Sequence, residues 1–330
     1  MTPARPRPLR SPRRIAAALL ILAATALVAV VGTLVTRVDT AVDGIERVPD
    51  AFPSESTRPA PHPPEEPAPR TYLLVGSDTR DEGASLLTSL GDRADALLLV
   101  HVPADRASVQ VISIMRDLWV PIAGHGEGRV NAALAYGGVP LLVQVVESLL
   151  GQRIDDVVIV DFAGFADLTD AVGGVTVQNE VAFTAAGVRY ERGPITLTGA
   201  DALPYVRERY AFPDGDYQRV RNQQAYLRGL LEAMLQPRVA LAPWVVAGVV
   251  EAVAPHVAAT DGLTTRAAVT LAAQLAAAGT SDVASFTLPT AGTATIAGQS
   301  VVLPDGEGIA VVRDALQQPS MTGFVPPAER

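Results

Sequence analysis

The sequence predicts an α/β fold, a central mixed β-sheet with helices on both faces, preceded by one N-terminal transmembrane helix. Three observations predict it. Short apolar runs closed by turn residues alternate with longer stretches of helical spacing, as expected for strands buried between covering helices. A hydrophobic content of 48% over 330 residues is enough to build a large core. The uncharged stretch from Ile15 to Val35 is long enough to cross a bilayer, which takes roughly 20 apolar residues.

Arg5, Arg7, Arg10, Arg13 and Arg14 precede that stretch with no acid among them, so residues 1–14 are expected to stay cytoplasmic and everything after Val35 to lie outside. A cleaved signal peptide is the alternative, with Ala23, Ala24 and Ala29 as small residues for cleavage. Proline crowds residues 50–70, which makes 36–70 an extended extracytoplasmic linker. The folded domain is expected over 71–317, with 318–330 as a C-terminal tail.

Within the domain, Thr71–Val75 reads as a buried strand stopped by Gly76. Ala96–Val102 and Ser108–Ile114 read as strands of a hairpin. Helical spacing follows from Asn131 to Leu150, then a strand at Asp156–Val160, a helix at Phe162–Val172 and a strand at Val175–Val177. Asp216 is placed to cap a helix whose Val220, Leu227, Leu230, Leu231 and Met234 face the core. Val239–Ala278 reads as two more helices, which Pro243, Glu251, Pro255 and His256 keep from being a second span. Val283–Leu288 and Ser300–Leu303 are closing strands, and Glu307–Leu316 is a last helix.

Composition narrows the function. The formal net charge is −9, which argues against a nucleic-acid partner. With no cysteine there is no disulfide, thiol nucleophile or thiolate metal site. No lysine occurs, so all 26 basic side chains other than histidine are arginine, an effect expected of a GC-rich genome. The phosphate-binding P-loop, G-x-G-x-x-G after the first strand and H-E-x-x-H are missing, and His62, His101, His125 and His256 are scattered.

Arginine and aspartate instead collect where strands end. Gly76-Ser77-Asp78-Thr79-Arg80 follows the first strand, Gly91-Asp92-Arg93-Ala94-Asp95 precedes the second and Ser113-Ile114-Met115-Arg116-Asp117 closes the third. Ligands of open α/β sheets gather at strand ends. Asp78 and Asp95 offer the hard oxygens a divalent cation prefers, although aspartates in such loops also serve turns. Arg207, Arg209, Arg219 and Arg221 lie close together in an acidic domain, with Arg207 and Arg209 on one face if that segment is extended. They are either an anion site, since a guanidinium fork suits phosphate oxygens, or surface ion pairs with Glu208, Asp214 and Asp216.

In this order the motifs resemble the LytR-CpsA-Psr family. To the three loops above are added Asn131-Ala132-Ala133 through Gly137-Gly138, Val172-Gly173-Gly174-Val175, Leu197-Thr198-Gly199-Ala200-Asp201-Ala202-Leu203, Arg207-Glu208-Arg209, and Asp214-Gly215-Asp216 leading to Gln223-Gln224. The resemblance covers roughly Thr71 to Leu316 and implies an enzyme, a phosphotransferase that moves a glycan from a polyprenyl-pyrophosphate carrier to peptidoglycan at the membrane. The implied cofactor is Mg²⁺, or Mn²⁺, on Asp78 and Asp95. Arg93, Arg116, Arg129, Arg207, Arg209 and Gln223 are implied to contact the pyrophosphate, with Arg219 nearby and catalysis shared among Arg116, Asp95, Asp117 and Arg219. Asp95 or Asp117 would take the acceptor proton, and release of phosphate to water is a possible side activity. A carrier that binds the lipid without catalysis, or a plain pyrophosphatase, is the alternative. The glycan could be teichoic-acid-like, arabinogalactan-like or capsular, and the GC-rich signature points to an actinobacterial wall. Met115, Pro204 and Asn222 depart from the family's usual proline, helix and arginine.

Overall fold

The computed structural model describes residues 32–61, 68–77, 85–90, 94–161, 164–240, 242–278 and 282–327. The expected cytoplasmic tail, all but the last four residues of the expected span, and two expected site residues, Asp78 and Arg93, lie outside the described residues.

Helix α1 (residues 32–43) leads into strands β1 (Glu46–Arg47) and β2 (Arg70–Ser77), helix α2 (Leu86–Ser89), and strands β3 (Ala96–Val102) and β4 (Val109–Ile114). A small hairpin, β5 (Trp119–Ile122) and β6 (Gly126–Arg129), precedes α3 (Ala132–Leu150), β7 (Asp156–Asp161) and α4 (Gly164–Ala171). Four short strands follow, β8 (Val175–Asn179), β9 (Phe183–Ala185), β10 (Val188–Tyr190) and β11 (Gly193–Leu197), and then α5 (Gly199–Arg207) and α6 (Asp216–Leu235). The rest is α7 (Pro237–Ala240), α8 (Pro243–Val253), β12 (Val257–Ala259), α9 (Thr265–Ala278), β13 (Val283–Thr287), the hairpin β14 (Thr290–Ile296) and β15 (Gln299–Pro304), and α10 (Gly306–Leu316).

The central sheet has seven strands in the order β1-β12-β7-β2-β3-β4-β13. It is mixed, with β2–β7, β4–β13 and β1–β12 parallel and the other three pairings antiparallel. The expected β3–β4 hairpin forms, with Leu97 opposite Ile114. Alternation along β2 divides the two faces. Leu73 and Val75 pack into the main core with Leu142, Val146 and Leu150 of α3 and Val312 of α10, while Leu74 faces α6 and α9 across an apolar cavity. Register also decides which strand ends meet. Gly76 lies opposite Ala96, Leu97 opposite Ile114, and Ser113 opposite Thr287, so the loops after β2, before β3, after β4 and after β13 share one end.

A second cluster packs beside the first around Phe183, whose ring lies 4.7 Å from Tyr190, 5.7 Å from Tyr205 and 4.9 Å from Phe212. It fixes the end of α5 and, through buried Phe212, the loop into α6.

Several expectations are corrected. The described part of the 36–70 linker is built into the domain. Val42, Ile45, Val48 and Ala51 are buried, β1 pairs with β12, and the Arg58 guanidinium donates to both carboxylate oxygens of Glu147 on α3 and to the Ile154 carbonyl. Proline marks this chain as extended, but an extended chain can still be pinned by a buried ion pair. The tail is likewise anchored, by Met321 in the main core. Between Val239 and Ala278 the structure adds β12 to the expected helices, because three small apolar residues are too few to show a period yet fill the gap between β1 and β7. The strands at Val175 and Ser300 form separate two-stranded sheets with β11 and β14. Arg207 ends a helix rather than lying in an extended run, and Pro204 sits inside that helix without ending it.

Arg58 and Glu147 are only 6% and 1% exposed, so Arg58→Ala strands a carboxylate in the core. Chemical denaturation of the full-length chain should show a loss of about 3–5 kcal/mol, against little change for the exposed Arg189→Ala.

Candidate active site

The shared end of the sheet gathers side chains from four segments. Asp95 stands just before β3, its N–H bonded to the Gly76 carbonyl at 2.8 Å. Arg116 and Asp117 follow β4 in a loop held by backbone bonds from Asn131 to Arg116 (3.1 Å), Val130 to Leu118 (2.8 Å) and Val302 to Asp117 (2.9 Å). Arg129 ends β6, and Arg209, Asp216 and Arg219 come from the loop before α6 and its first turn.

Arg116 is the hub. It lies 2.5 Å from Asp95, 3.6 Å from Asp117 and 3.4 Å from Asp216. Asp117 also meets Arg129 at 3.3 Å, and Asp216 meets Arg219 at 3.2 Å and Arg209 at 3.5 Å. Among the described residues, four guanidiniums thus surround three carboxylates. Among the described residues the buried Nε donors of Arg129 and Arg219 have no hydrogen-bond acceptor, and that of Arg116 has only the longer contacts to Asp117 and Asp216. Buried donors are nearly always satisfied, so these guanidiniums retain capacity for a further acceptor. The cluster opens on a cavity of about 1290 Å³ lined by Arg116, Asp117, Arg129, Arg209 and Asp216.

The two neighbouring carboxylates are driven apart. Burial pushes the Asp117 carboxyl above its ordinary range; Arg116 opposes this and the charge on Asp216 adds to it. Burial also opposes ionisation of Asp216, but Arg219, Arg116 and Arg209 outweigh it and hold that carboxyl below its ordinary range. Environments that separate two carboxylates in this way divide acid and base roles between them.

Of the residues expected from sequence, the structure brings together Asp95, Arg116, Asp117, Arg129, Arg209 and Arg219. Arg207 closes α5 two residues before Arg209. Gln223, one helical turn from Arg219, donates its amide to the Val206 carbonyl at 3.3 Å. Its neighbours act similarly, Asn222 donating to the Tyr205 carbonyl and Gln224 to Ser113 and Thr287 hydroxyls on the sheet. Three consecutive amides thus bolt α6 to α5 and to the sheet end. Asn222 is 1% exposed and turned toward α5, so its substitution for arginine alters this joint rather than the cavity wall. Met115 is buried in the main core.

Asp216 is the residue that sequence reasoning misassigned. The cap position belongs to Gly215, at φ +51°, and Asp216 is the first helical residue, its carboxylate taken by three arginines. The i,i+3 spacing to Arg219 was the available signal.

For a divalent cation, the donor chemistry fits on the side of Asp95. Mg²⁺ is commonly held by one or two carboxylates plus substrate phosphates, and Ser77, the last described residue before the expected ligand Asp78, ends β2 at this same end. Among the described residues no cluster of three or more acidic or histidine side chains is placed to hold a metal alone.

The chain is an α/β protein whose sheet collects arginines around shared carboxylates at its strand ends. The chain belongs to the LytR_cpsA_psr family, whose model matches residues 36–318. It is 36% identical over 165 residues to the Bacillus anthracis polyisoprenyl-teichoic acid–peptidoglycan teichoic acid transferase TagU, covering 50% of this chain and 52% of that protein. The chain therefore spans about half the length of this relative. Among solved structures, Bacillus subtilis TagV superposes with a TM-score of 0.64 at 24% identity, over 77% of this chain and 98% of that one. TagT bound to LIIa-WTA superposes with a TM-score of 0.62 at 25% identity, over 83% and 98%.

The carboxylate pair makes opposite predictions for stability. Asp117 binds its proton more tightly folded than unfolded, so its ionisation costs stability as pH rises from the ordinary carboxylate range through its folded value. Asp216 contributes stability above the ordinary range and loses it as pH falls through its lowered value. Thermal melts at neutral pH should show Asp117→Asn unchanged or higher in Tm and Asp216→Asn lower; the reverse order would contradict this account of the pair.

Proposed function

We propose that this protein transfers a glycan from a polyprenyl-pyrophosphate carrier to a hydroxyl of peptidoglycan, at the outer face of the membrane. The observation that carries the reading is the convergence of four guanidiniums on three carboxylates at one cavity, with a second, almost wholly apolar cavity further along α6. One is the cavity on which the cluster opens, of mixed polar and apolar lining. The other, about 340 Å³, lies between the sheet and α6 and is lined by Leu74, Leu98, Val111, Leu227, Leu230 and Leu231 among others. Arg219, Gln223, Leu227 and Leu230 follow helical spacing along α6. A pyrophosphate at Arg219 would therefore place its isoprenoid chain over Leu230, about 16 Å further along the helix.

In the proposed reaction a peptidoglycan hydroxyl attacks the sugar-proximal phosphorus. A new P–O bond forms, the bond to the second phosphate breaks and polyprenyl phosphate leaves. Arg116, Arg129, Arg209 and Arg219 bind and orient the phosphate oxygens and stabilise the charge that builds on them. Asp117, with its raised proton affinity, takes the proton from the attacking hydroxyl. Asp95 and Asp78 would hold Mg²⁺, which supplies further neutralisation of phosphate charge when bound. Family membership and the name of the TagU relative support this reading.

Residues 15–35 are proposed as a single membrane span with residues 1–14 in the cytoplasm. Helix α1 starts inside the end of that stretch and is tied to α8 by the Arg37–Glu251 ion pair, which would seat the domain directly on the bilayer that delivers the lipid.

The full-length protein in detergent, given a polyprenyl-pyrophosphate-linked glycan, Mg²⁺ and peptidoglycan oligomers, should form a glycan–peptidoglycan product. Arg116→Ala should lower turnover about 10²- to 10³-fold, and EDTA should abolish it. Release of glycosyl phosphate and polyprenyl phosphate to water without acceptor product would replace the transferase with a pyrophosphatase, and tight lipid binding without turnover would replace it with a carrier. Leu231→Trp, which narrows the apolar cavity, should raise KM about tenfold for a long polyprenyl carrier and little for a short, water-soluble one.

A further inference from the structure

We propose that Tyr136 and Tyr210 are stacking platforms for pyranose rings of the donor glycan; this rests on the transferase reading and assigns its sugar subsites. Both tyrosines line the large cavity beside the arginine cluster. They are 54% and 85% exposed, whereas Tyr72, Tyr190, Tyr205 and Tyr226 are at most 5% exposed and Tyr217 is half-buried. The two exposed tyrosines of the chain's seven therefore both stand on one cavity. Neither belongs to a hydrophobic cluster, so packing does not account for them.

Each ring is held with one face covered. Tyr136 stacks on His125 at 4.5 Å and 11°. His125 sits in the β5–β6 turn, and α3 kinks at Gly137 and Gly138, directly after Tyr136, with Gly138 at φ +65°. The Arg209 guanidinium lies 4.7 Å from the Tyr210 ring centroid and donates to its hydroxyl at 2.7 Å. A ring buttressed on one face offers the other to the cavity at little entropic cost. Pyranose rings present a C–H face, which stacks on an aromatic π-face, and an edge of hydroxyls. Asn131, Asp214, Arg221, Thr293 and Ser300 line the same cavity and provide partners for those hydroxyls.

The donor is favoured over the acceptor by Arg209. It covers Tyr210 and also reaches Asp216 in the cluster, so a sugar on Tyr210 lies beside the group that grips the phosphate. The platforms thus read the first sugars behind the phosphorus.

Binding by the full-length protein in detergent would be measured for two probes, polyprenyl pyrophosphate bearing a disaccharide and the same lipid without sugar. Tyr136→Ala and Tyr210→Ala should each weaken the first probe about tenfold and the second less than about twofold, and Tyr210→Phe should retain both affinities. Equal weakening of both probes would make the tyrosines supports for the arginines, and no weakening of either would remove them from the site; each result overturns the platforms alone. An effect confined to the KM of the peptidoglycan acceptor overturns the donor assignment. A wild-type protein that binds neither probe overturns the transferase reading and the platforms with it.

Discussion

The position of one guanidinium organises the functional end of this molecule. Arg116 lies among Asp95, Asp117 and Asp216, which come from three separate parts of the chain, and each carboxylate placed there must be balanced. Burying unpaired charge is expensive, so the cluster holds together only with Arg129, Arg209 and Arg219 as further partners. Among the described residues cations outnumber acids in it, which is the feature the proposed function uses. Burial together with the charges of the cluster sets two adjacent carboxylates at different proton affinities.

That arrangement depends on α6, which belongs to both packing units. Its first turn supplies Asp216 and Arg219, and Val220 packs in the main core while Tyr226 packs in the second cluster. Further along, Leu227, Leu230 and Leu231 wall the apolar cavity. The amides of Asn222, Gln223 and Gln224 fix this helix to α5 and the sheet, so charge cluster and apolar cavity keep a set relation. The proposed lipid phosphate needs both at once, a charged grip and an apolar slot about 16 Å apart along the helix.

The aromatic residues divide by the same logic. Phe183, Tyr190, Tyr205 and Phe212 are packed together and hold the loop that carries Arg209. Tyr136 and Tyr210 are held at the surface by a histidine and an arginine, where a ring face has value only to something that arrives from solvent.

Much of the fold was legible in the sequence because strand ends and helix starts carry local chemistry. Apolar runs marked β2, β3 and β4, the Asn131–Leu150 spacing marked α3, and Asp-Arg loops marked the strand ends where the cluster forms. The sequence by itself determined the element types and the set of arginines and aspartates available to the site, since composition and periodicity are properties of a few consecutive residues. It did not determine which of these residues meet. β12 was too short to show a period, Arg58 found Glu147 across 89 residues, and Asp216 exchanged a capping role for three arginine partners. Only the tertiary structure decided these, because burial and charge balance depend on neighbours distant in the chain.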